Sequence, residues 1–373
     1  MKHRIVVLGA GYAGAIAAGR LAKRLHRDDV EITLVNAESE FVERVRLHQL
    51  ASGQDLPSRP LRDVFAGTGV ELRPAWVTAV DTDRRTVELD GEHGAETLGY
   101  DTLVYALGST AGSLGVPGVA EHAHGVAGKR DALRLRARLG DLGGRLDAGE
   151  AAARGGVGGW LSDKARRHLR TVFDRLGITV HEGADIARVE AHRVVTGEGQ
   201  EIPAQLTVWT AGFAVHPIAA ATTLEVSDTG RIVVDATMRS VSHPDVYAVG
   251  DAALAEGSGG RPLRMSCATA SPMAWQAADS LAARLTGRKV PENSIGYAAQ
   301  CISLGRRDAI FQKVTHEDEV TSKVVTGRAG ARIKEFICAG AAWSISHPTM
   351  MMPSRRRRLT ATTQPAAPRL ATR

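Results

Sequence analysis

The order of apolar and polar positions at the start of the chain predicts a strand, a helix and a second strand. Residues 5–8 form a short, continuous apolar run, as in a parallel strand that is covered on both faces. Residues 30–36, VEITLVN, predict a second strand. Between them, apolar side chains recur with the spacing of one helix face, at Ile16, Ala17, Leu21, Ala22 and Leu25. A β-α-β unit is therefore predicted.

A glycine-rich turn joins the first strand to this helix. Its glycines have the spacing G-x-G-x-x-G, in which the first permits a tight turn, the second lets the backbone approach a pyrophosphate, and the third allows helix and sheet to pack closely. The free N–H groups at the helix start then face the phosphates. We expect the whole turn to bind a dinucleotide through Gly9, Ala10, Gly11, Tyr12, Ala13 and Gly14.

The position that is usually acidic in such units, at the end of the second strand, is Asn36. An amide can still hydrogen-bond a ribose hydroxyl, so Asn36 is a candidate ligand of the cofactor, with Glu38 as a nearby substitute. Far downstream, residues 246–249 form another buried-strand pattern that ends in Gly250 and Asp251. A carboxylate at that sheet edge can accept a hydrogen bond from a sugar-alcohol hydroxyl. The alternative role for Asp251 is a helix N-cap.

Composition narrows the choice of function classes. The chain has 373 residues, of which 43% are apolar and 24% charged, as in ordinary globular proteins. Its net charge of +6 comes largely from the last twenty residues. Because those residues lack apolar periodicity, we expect them to be disordered, and the absence of interleaved aromatic residues argues against nucleic-acid binding.

Neither a membrane span nor a metal site is expected. No apolar run approaches the length that crosses a bilayer, and the charged N-terminus leads directly into a strand rather than a signal peptide. The three cysteines, Cys267, Cys301 and Cys338, are far apart and lack zinc-ligand spacing. These features favour a cytoplasmic protein.

The two motifs together resemble the flavoproteins of the pyridine nucleotide-disulfide oxidoreductase superfamily, which have two dinucleotide-binding domains. The segments FVERVRLHQL, VWTAGF, SCATASPMAWQAADSLAARL and CISLGRRDAIFQ are similar to the type II NADH dehydrogenase-like branch. No CxxxxC follows the first ribose-binding strand, which excludes the disulfide reductases. The resemblance implies bound FAD, which takes hydride from NADH and passes electrons to a quinone or a similar acceptor.

The resemblance also implies further FAD-binding residues, namely Arg46, Val77, Ala106, Gly108, Ala268 and Thr269. For Arg46 the alternative is an ordinary polar helix face. Cys267 begins a predicted helix, where a helix N-terminus could lower the pKa of its thiol, and the alternative is simple packing. Hydride transfer needs no protein nucleophile, so no catalytic residue is assigned.

The predicted fold class is α/β. A Rossmann-like, three-layer FAD-binding domain with a β-meander is joined by a truncated second Rossmann-like domain and a small C-terminal α+β segment. The domain bounds are 1–112 and 235–290 for the FAD-binding domain, 113–234 for the NAD(P)H-binding remnant, 291–352 for the C-terminal segment and 353–373 for the basic tail. The meander strands are expected within 76–80, 85–89 and 102–107.

Residues 145–165, RLDAGEAAARGGVGGWLSDKA, lie where a second phosphate-binding loop belongs. Val157 is the only β-branched residue between 140 and 161, and Leu161 stands where the last glycine of the motif is needed. We therefore infer that the first strand, phosphate loop and helix of the NAD(P)H domain have been deleted, which makes NAD(P)H binding doubtful. The apolar surface left behind must repack, pair with a second subunit as a homodimer, or unfold.

Apolar residues at roughly helical spacing in 329–345 predict a C-terminal amphipathic helix. It would lie on the inner face of a membrane as a peripheral contact, or pack on the FAD domain or on a second subunit. Two functions stay open for the whole chain. One is a working FAD-dependent oxidoreductase with small-molecule donor and acceptor. The other is a non-catalytic or degenerate FAD-binding protein.

Overall fold

A seven-stranded sheet is built mainly from the first 105 residues. A computed structural model of the chain describes residues 1–92, 94–143, 149–291 and 293–360. The first elements are β1 (His3–Leu8), α1 (Tyr12–Arg24), β2 (Val30–Asn36), α2 (Leu47–Ala51), α3 (Leu61–Val64), β3 (Val70–Asp81), β4 (Thr86–Gly91), β5 (Gly94–Gly99) and β6 (Thr102–Tyr105).

β1 pairs in parallel with β2 on one side and β6 on the other, so their carboxyl ends meet where the glycine turn begins. β3 starts parallel to β2 and then continues antiparallel with β4, which pairs with β5. The meander is therefore β3–β5. The prediction that residues 102–107 belong to the meander is wrong, because β6 is a fully buried strand of the parallel sheet.

The middle of the chain forms small sheets rather than a second large one. Its elements are β7 (Ser109–Ala111), α4 (Val119–His122), β8 (Ala123–His124), α5 (Lys129–Asp141), β9 (Gly149–Ala153), α6 (Asp163–Arg175), β10 (Ile178–Glu182), β11 (Ile186–Glu190), β12 (Arg193–Thr196), β13 (Glu201–Pro203), β14 (Thr207–Val208) and β15 (Phe213–Val215). β9 pairs with β10, β11 with β12 and β12 with β13, β8 with β14, and β7 with β15.

β9 corrects the expectation that no strand survives ahead of the second glycine loop. It pairs in parallel with β10, and α6 connects the two, which makes a short β-α-β unit. The sequence of β9 is Gly-Glu-Ala-Ala-Ala, and its side chains alternate between half-buried and exposed. Alanine and glycine have weak strand preference, so the pattern carried no strand signal. Residues 144–148, also part of the glycine stretch, lie outside the described residues.

The last part of the chain returns to the large sheet and then adds a separate one. Its elements are β16 (Ile232–Val233), β17 (Val246–Ala248), β18 (Ala253–Leu254), α7 (Cys267–Leu285), β19 (Ala299–Ser303), β20 (Ala309–Val314), β21 (Val320–Val325) and α8 (Gly327–Ser346). β17 adds to the free side of β6, and the short strands β16 and β18 pair with each other. α7 packs on α1, and Asp279 on α7 accepts hydrogen bonds from Arg20 at 2.7 and 2.8 Å.

α6 packs on β10 of its own β-α-β unit and also on the C-terminal sheet, β19–β21. Leu161, Ala165 and Leu169 form a buried apolar cluster with Ile310 on β20. At the edge of this cluster, Asp308 accepts hydrogen bonds from His168 at 2.7 Å and from the Arg175 guanidinium at 3.1 Å. Among the alternatives for the remnant's apolar surface, the chain therefore uses repacking against its own C-terminal sheet.

Part of the basic tail is ordered, contrary to expectation. The Arg356 guanidinium donates to the carbonyl oxygen of Ala22 at 3.0 Å, and the Arg357 backbone bridges to Leu25. The Arg358 guanidinium pairs with Asp28 and Asp29 at 2.9 and 2.8 Å. These partners lie more than 300 residues upstream, which is why composition alone suggested disorder. Residues 361–373 lie outside the described residues.

Candidate functional site

A cavity of about 340 Å³ opens at the carboxyl ends of β1, β6 and β17. Carboxyl ends of parallel strands are where α/β folds bind ligands. The cavity brings together segments from both ends of the chain, and its walls are mostly apolar. Its lining includes Gly11, Tyr12, Ala13, Ala106, Gly108, Gly250 and Asp251, all expected from the sequence, together with Arg44, His48, Trp209, Phe213 and Cys267.

The three positions of the turn are occupied by glycine for different physical reasons. Gly9 has a positive φ of +92°, and a Cβ there would lie 2.4 Å from the Ala106 carbonyl oxygen. A Cβ on Gly14 would lie 1.8 Å from the Gly9 carbonyl oxygen, so these two are required by packing. A Cβ on Gly11 would meet nothing within 4 Å. No atom of the described residues therefore covers the Gly11 backbone on the side of the cavity, at the start of α1. A bound pyrophosphate requires such an uncovered backbone.

Asn36 holds the glycine turn in place. Its side-chain oxygen accepts a hydrogen bond from the Ala10 backbone N–H at 2.8 Å, and its amide nitrogen donates to the Glu38 carbonyl oxygen at 2.7 Å. Asn36 and Glu38 also line a second cavity of about 340 Å³, at the ends of β2 and β3. A dinucleotide lying over Gly11 would have its two ends in these two cavities.

Asp251 sits at the centre of a polar cluster that the sequence only half predicted. The Ser109 hydroxyl donates to the Asp251 carboxylate at 2.6 Å, and the Arg44 guanidinium lies 3.6 Å from the same oxygen. Asp251 lies within a three-residue 3-10 turn and makes no side-chain cap bond there, so the N-cap alternative is not what the structure has. The carboxylate is 16% exposed, toward the cavity.

Arg44, rather than the expected Arg46, lines the cavity. Arg46 instead donates to Glu335 on α8 at 2.7 Å and pairs with the buried carboxylate of Glu43 at 3.0 Å. The two arginines are only two residues apart, in a 3-10 turn that directly precedes α2. The path of the folded chain decides which of the two arginines faces the cavity. Residue spacing in the sequence does not predict that path.

Val77, Ala268 and Thr269, which were also expected to bind FAD, do not line this cavity. Val77 is partly buried against the main core from β3. Ala268 is exposed, and the buried hydroxyl of Thr269 donates to the Arg264 and Ser266 carbonyl oxygens at 2.7 and 2.9 Å. Thr269 therefore fixes the start of α7, whose neighbours Cys267 and Ala270 do line the cavity.

Burial shifts the pKa of three side chains of the cavity in the direction that favours their uncharged forms. Burial raises the pKa of the Cys267 thiol, which agrees with the packing role and not with a thiol activated by the helix N-terminus. Burial, followed by the charges of Lys334 and Arg46, lowers the pKa of His48. Burial also raises the pKa of Tyr12, whose hydroxyl has no hydrogen-bond partner among the described residues. The Arg44 guanidinium and the Asp251 carboxylate, 3.6 Å apart, are charged side chains of the lining.

The second glycine loop uses several of its backbone N–H groups in hydrogen bonds to protein atoms. The backbone N–H of Val157 donates to the Glu182 carboxylate at 2.9 Å, and the N–H groups of Gly159 and Leu161 donate to carbonyl oxygens within the loop. Asp163 adds a negative charge in the first turn of α6. Three amides of the loop are therefore already bonded, and two carboxylates lie nearby.

None of the helices in the part of the chain that the structure describes has the length and apolar content to span a bilayer. Among the same residues, no group of three or more His, Cys, Asp or Glu side chains is placed to hold a metal ion.

Known proteins resemble this chain along most of its length. A demethylphylloquinone reductase of Synechocystis is 25% identical over 352 residues, covering 83% of this chain and 86% of the relative. A type II NADH:quinone oxidoreductase of Staphylococcus saprophyticus is 23% identical, covering 92% and 96%. Among solved structures, NDH2 from Plasmodium falciparum has a TM-score of 0.77 at 13% identity, covering 94% and 97%.

The fold also matches the sulfide:quinone oxidoreductase of Aquifex aeolicus, with a TM-score of 0.73 at 18% identity over 93% of this chain and 92% of that one. The sequence profile of the pyridine nucleotide-disulphide oxidoreductase family matches residues 3–153 and 152–281, which is well over half of the chain. The chain therefore belongs to the pyridine nucleotide-disulphide oxidoreductase family and is an FAD-dependent electron-transfer oxidoreductase with small-molecule donor and acceptor.

Proposed function

We propose that FAD lies across both cavities, with its pyrophosphate over Gly11 and its adenosine end beside Asn36. Asp251 would hold the ribityl chain, and the apolar cavity lined by Cys267 would hold the flavin ring. The observation that supports this most is the uncovered backbone at Gly11. Packing explains why Gly9 and Gly14 on either side must be glycines, but it does not explain Gly11. FAD supplies the redox chemistry when bound, while the chain binds it, orients it and excludes water.

We further propose that the electron acceptor is a quinone and that NADH is a weak donor. The relatives that cover most of the chain are named as quinone reductases, which supports a quinone. Against tight NADH binding stand the hydrogen-bonded loop amides at Val157 and the carboxylate of Glu182 beside them. A dinucleotide donor would then be recognised mainly at the mouth of the flavin cavity, where Trp209 and Phe213 lie.

A peripheral membrane contact through α8 fits a quinone acceptor, because quinones with long side chains are held in the bilayer. Phe336 is 79% exposed and Ile337 is 40% exposed on this helix, and Met351 beyond it is 76% exposed. Large apolar side chains on the surface of an amphipathic helix favour insertion at a membrane interface. The other expectation for α8, packing on the FAD domain, is compatible with this, because only one of its faces is covered.

Anaerobic flavin reduction tests the proposed electron path. Purified protein is mixed with NADH, NADPH or reduced nicotinamide mononucleotide, and the flavin absorbance is followed before and after a quinone is added. We expect slow bleaching that differs little among the three donors, and rapid return of colour with the quinone. Fast bleaching at micromolar NADH contradicts weak binding. Reduction by dithionite with no return of colour on quinone addition contradicts the acceptor.

Two alanine variants test the FAD site separately from folding. Gly11→Ala adds a methyl group that meets no protein atom, so we expect an unchanged apoprotein that binds FAD on the order of tenfold more weakly. Gly14→Ala drives a methyl group into the Gly9 carbonyl, so we expect a destabilised apoprotein. Equal FAD affinity in Gly11→Ala and the unmodified chain contradicts the proposed pyrophosphate position.

A further inference from the structure

A second concave site lies outside the flavin cavity, between the β19–β20 turn and α8. It is a hollow of about 310 Å³. We call this site the cationic hollow, because two basic residues of the turn and three of the helix line it. The five basic residues are Arg306, Arg307, Arg328, Arg332 and Lys334. One carboxylate, Glu335, also lines it, but this group already pairs with Arg46 at 2.7 Å. The hollow therefore carries a large excess of positive charge.

The charges of the hollow are not compensated by the protein. Among the described residues, none of its four arginines has a carboxylate within ion-pair distance, and Arg306 contacts only the side-chain amide oxygen of Gln54. Most arginines elsewhere on this surface do have such partners, such as Arg4 with Asp101 and Arg264 with Asp318. Like charges gathered in a concave surface repel one another, and a bound anion relieves that repulsion.

The shape of the hollow is fixed by close packing. Gly330 on α8 lies so near β20 that a Cβ there would be 2.4 Å from the Ala309 carbonyl oxygen. Arg328 and Arg332 flank Gly330, one helical turn apart, so they lie on the same face of α8. The positive end of the α8 dipole is at Gly327, next to Arg328, and adds to the field.

We infer that the cationic hollow binds a phosphate-bearing anion. Guanidinium groups donate parallel pairs of hydrogen bonds to phosphate oxygens, and several of them around one hollow suit a group with two negative charges. The phosphate could belong to a lipid headgroup or to a free solute. The lipid source rests on the membrane contact proposed above, because Phe336 and Ile337 project from the helix that supplies Arg328 and Arg332.

The test uses the full-length flavoprotein and two charge-matched double variants. Arg328→Gln with Arg332→Gln removes two charges from the hollow. Arg84→Gln with Arg261→Gln removes two exposed charges elsewhere, where the side chains are 84% and 63% exposed. In one arm, each protein is sedimented with phosphatidylcholine vesicles that contain or lack phosphatidic acid. In the other arm, Tm is measured in inorganic phosphate and in chloride at equal ionic strength.

For a lipid source, the hollow variant loses on the order of 30-fold in binding to the acidic vesicles, while the control variant loses much less. For a free solute, phosphate raises Tm of the unmodified chain and of the control but not of the hollow variant, and the vesicle arm shows no difference. Identical behaviour of the two double variants in both arms overturns the inference.

A third variant separates this inference from the membrane proposal. Phe336→Ser with Ile337→Ser removes the apolar contact and leaves the hollow intact. Loss of all vesicle binding with a retained phosphate effect on Tm supports both proposals. Unchanged vesicle binding in this variant contradicts the apolar membrane contact, and the comparison of the two charge variants still decides the hollow.

Discussion

The docking of α6 on the C-terminal sheet can be tested by shortening one buried side chain. Leu169 is 5% exposed and belongs to the cluster with Ile310. A buried Leu→Ala change costs ~2–5 kcal/mol, and the low end applies where neighbours can relax. Leu169 also borders an open groove of about 420 Å³, so we expect a loss of about 2–3 kcal/mol. That loss makes opening of α6 on the order of 100-fold more frequent.

Hydrogen exchange of backbone amides measures this opening directly. In Leu169→Ala, amides of α6 should exchange on the order of 100-fold faster, while amides of β1 in the large sheet stay protected. Leu176→Ala is the matched control, because Leu176 follows the same helix but is 57% exposed and should change little. Protection of α6 that stays within twofold of the unmodified chain refutes the docking. Equal acceleration in β1 and α6 refutes the idea that the remnant opens independently.

Three further changes test the flavin site and the closed loop. Ser109→Ala removes the hydrogen bond to Asp251, and we expect a roughly tenfold loss of FAD affinity, measured by fluorescence titration, with an unchanged Tm of the apoprotein. Because folding lowers the pKa of His48, the unfolded chain binds its proton more readily. The contribution of His48 to the free energy of unfolding should therefore be fully present above about pH 6.5. It should be lost as the pH drops through the lower pKa that His48 has in the folded chain. Urea titrations of His48→Gln should show a shallower fall, and an identical profile contradicts the assignment. Glu182→Gln frees the Val157 N–H from a charged acceptor, so the NADH concentration for half-maximal flavin reduction should drop several-fold, and a rise contradicts our account of the loop.

The glycine turn of the proposed flavin site was predictable because its signal is local. The run of buried residues before Gly9 and the helix after it are contiguous in sequence, and the glycine spacing follows from contacts within the turn itself. Asn36 was found by its place at the end of a strand. Its actual hydrogen bond, to the Ala10 N–H, spans 26 residues and supports the turn, which no local pattern indicates.

Most of the features that the sequence did not predict depend on contacts between segments that are far apart in the chain. Arg44 and Ser109 are 65 residues apart, and folding brings both of them to the Asp251 carboxylate. β9 was missed because its alanines carry no strand signal, and its partner β10 lies beyond α6. The ordered part of the arginine tail depends on carboxylates at Asp28 and Asp29, at the opposite end of the chain.

The FAD site that we propose and the second glycine loop lie in different parts of the chain. Most of the strands around the proposed FAD site belong to the large sheet, from residues before 106 and after 245, while Trp209 and Phe213 of its lining come from the middle of the chain. In the middle of the chain β9 pairs with β10, and α6 packs on β10 and on the C-terminal sheet, where His168 donates to Asp308. Under our proposal donor recognition is weak, because the Val157 N–H of the glycine loop is bonded to Glu182. Electron entry and exit are therefore expected to share the open mouth of the flavin cavity, which favours an alternating reaction in which the oxidised donor leaves before the acceptor binds.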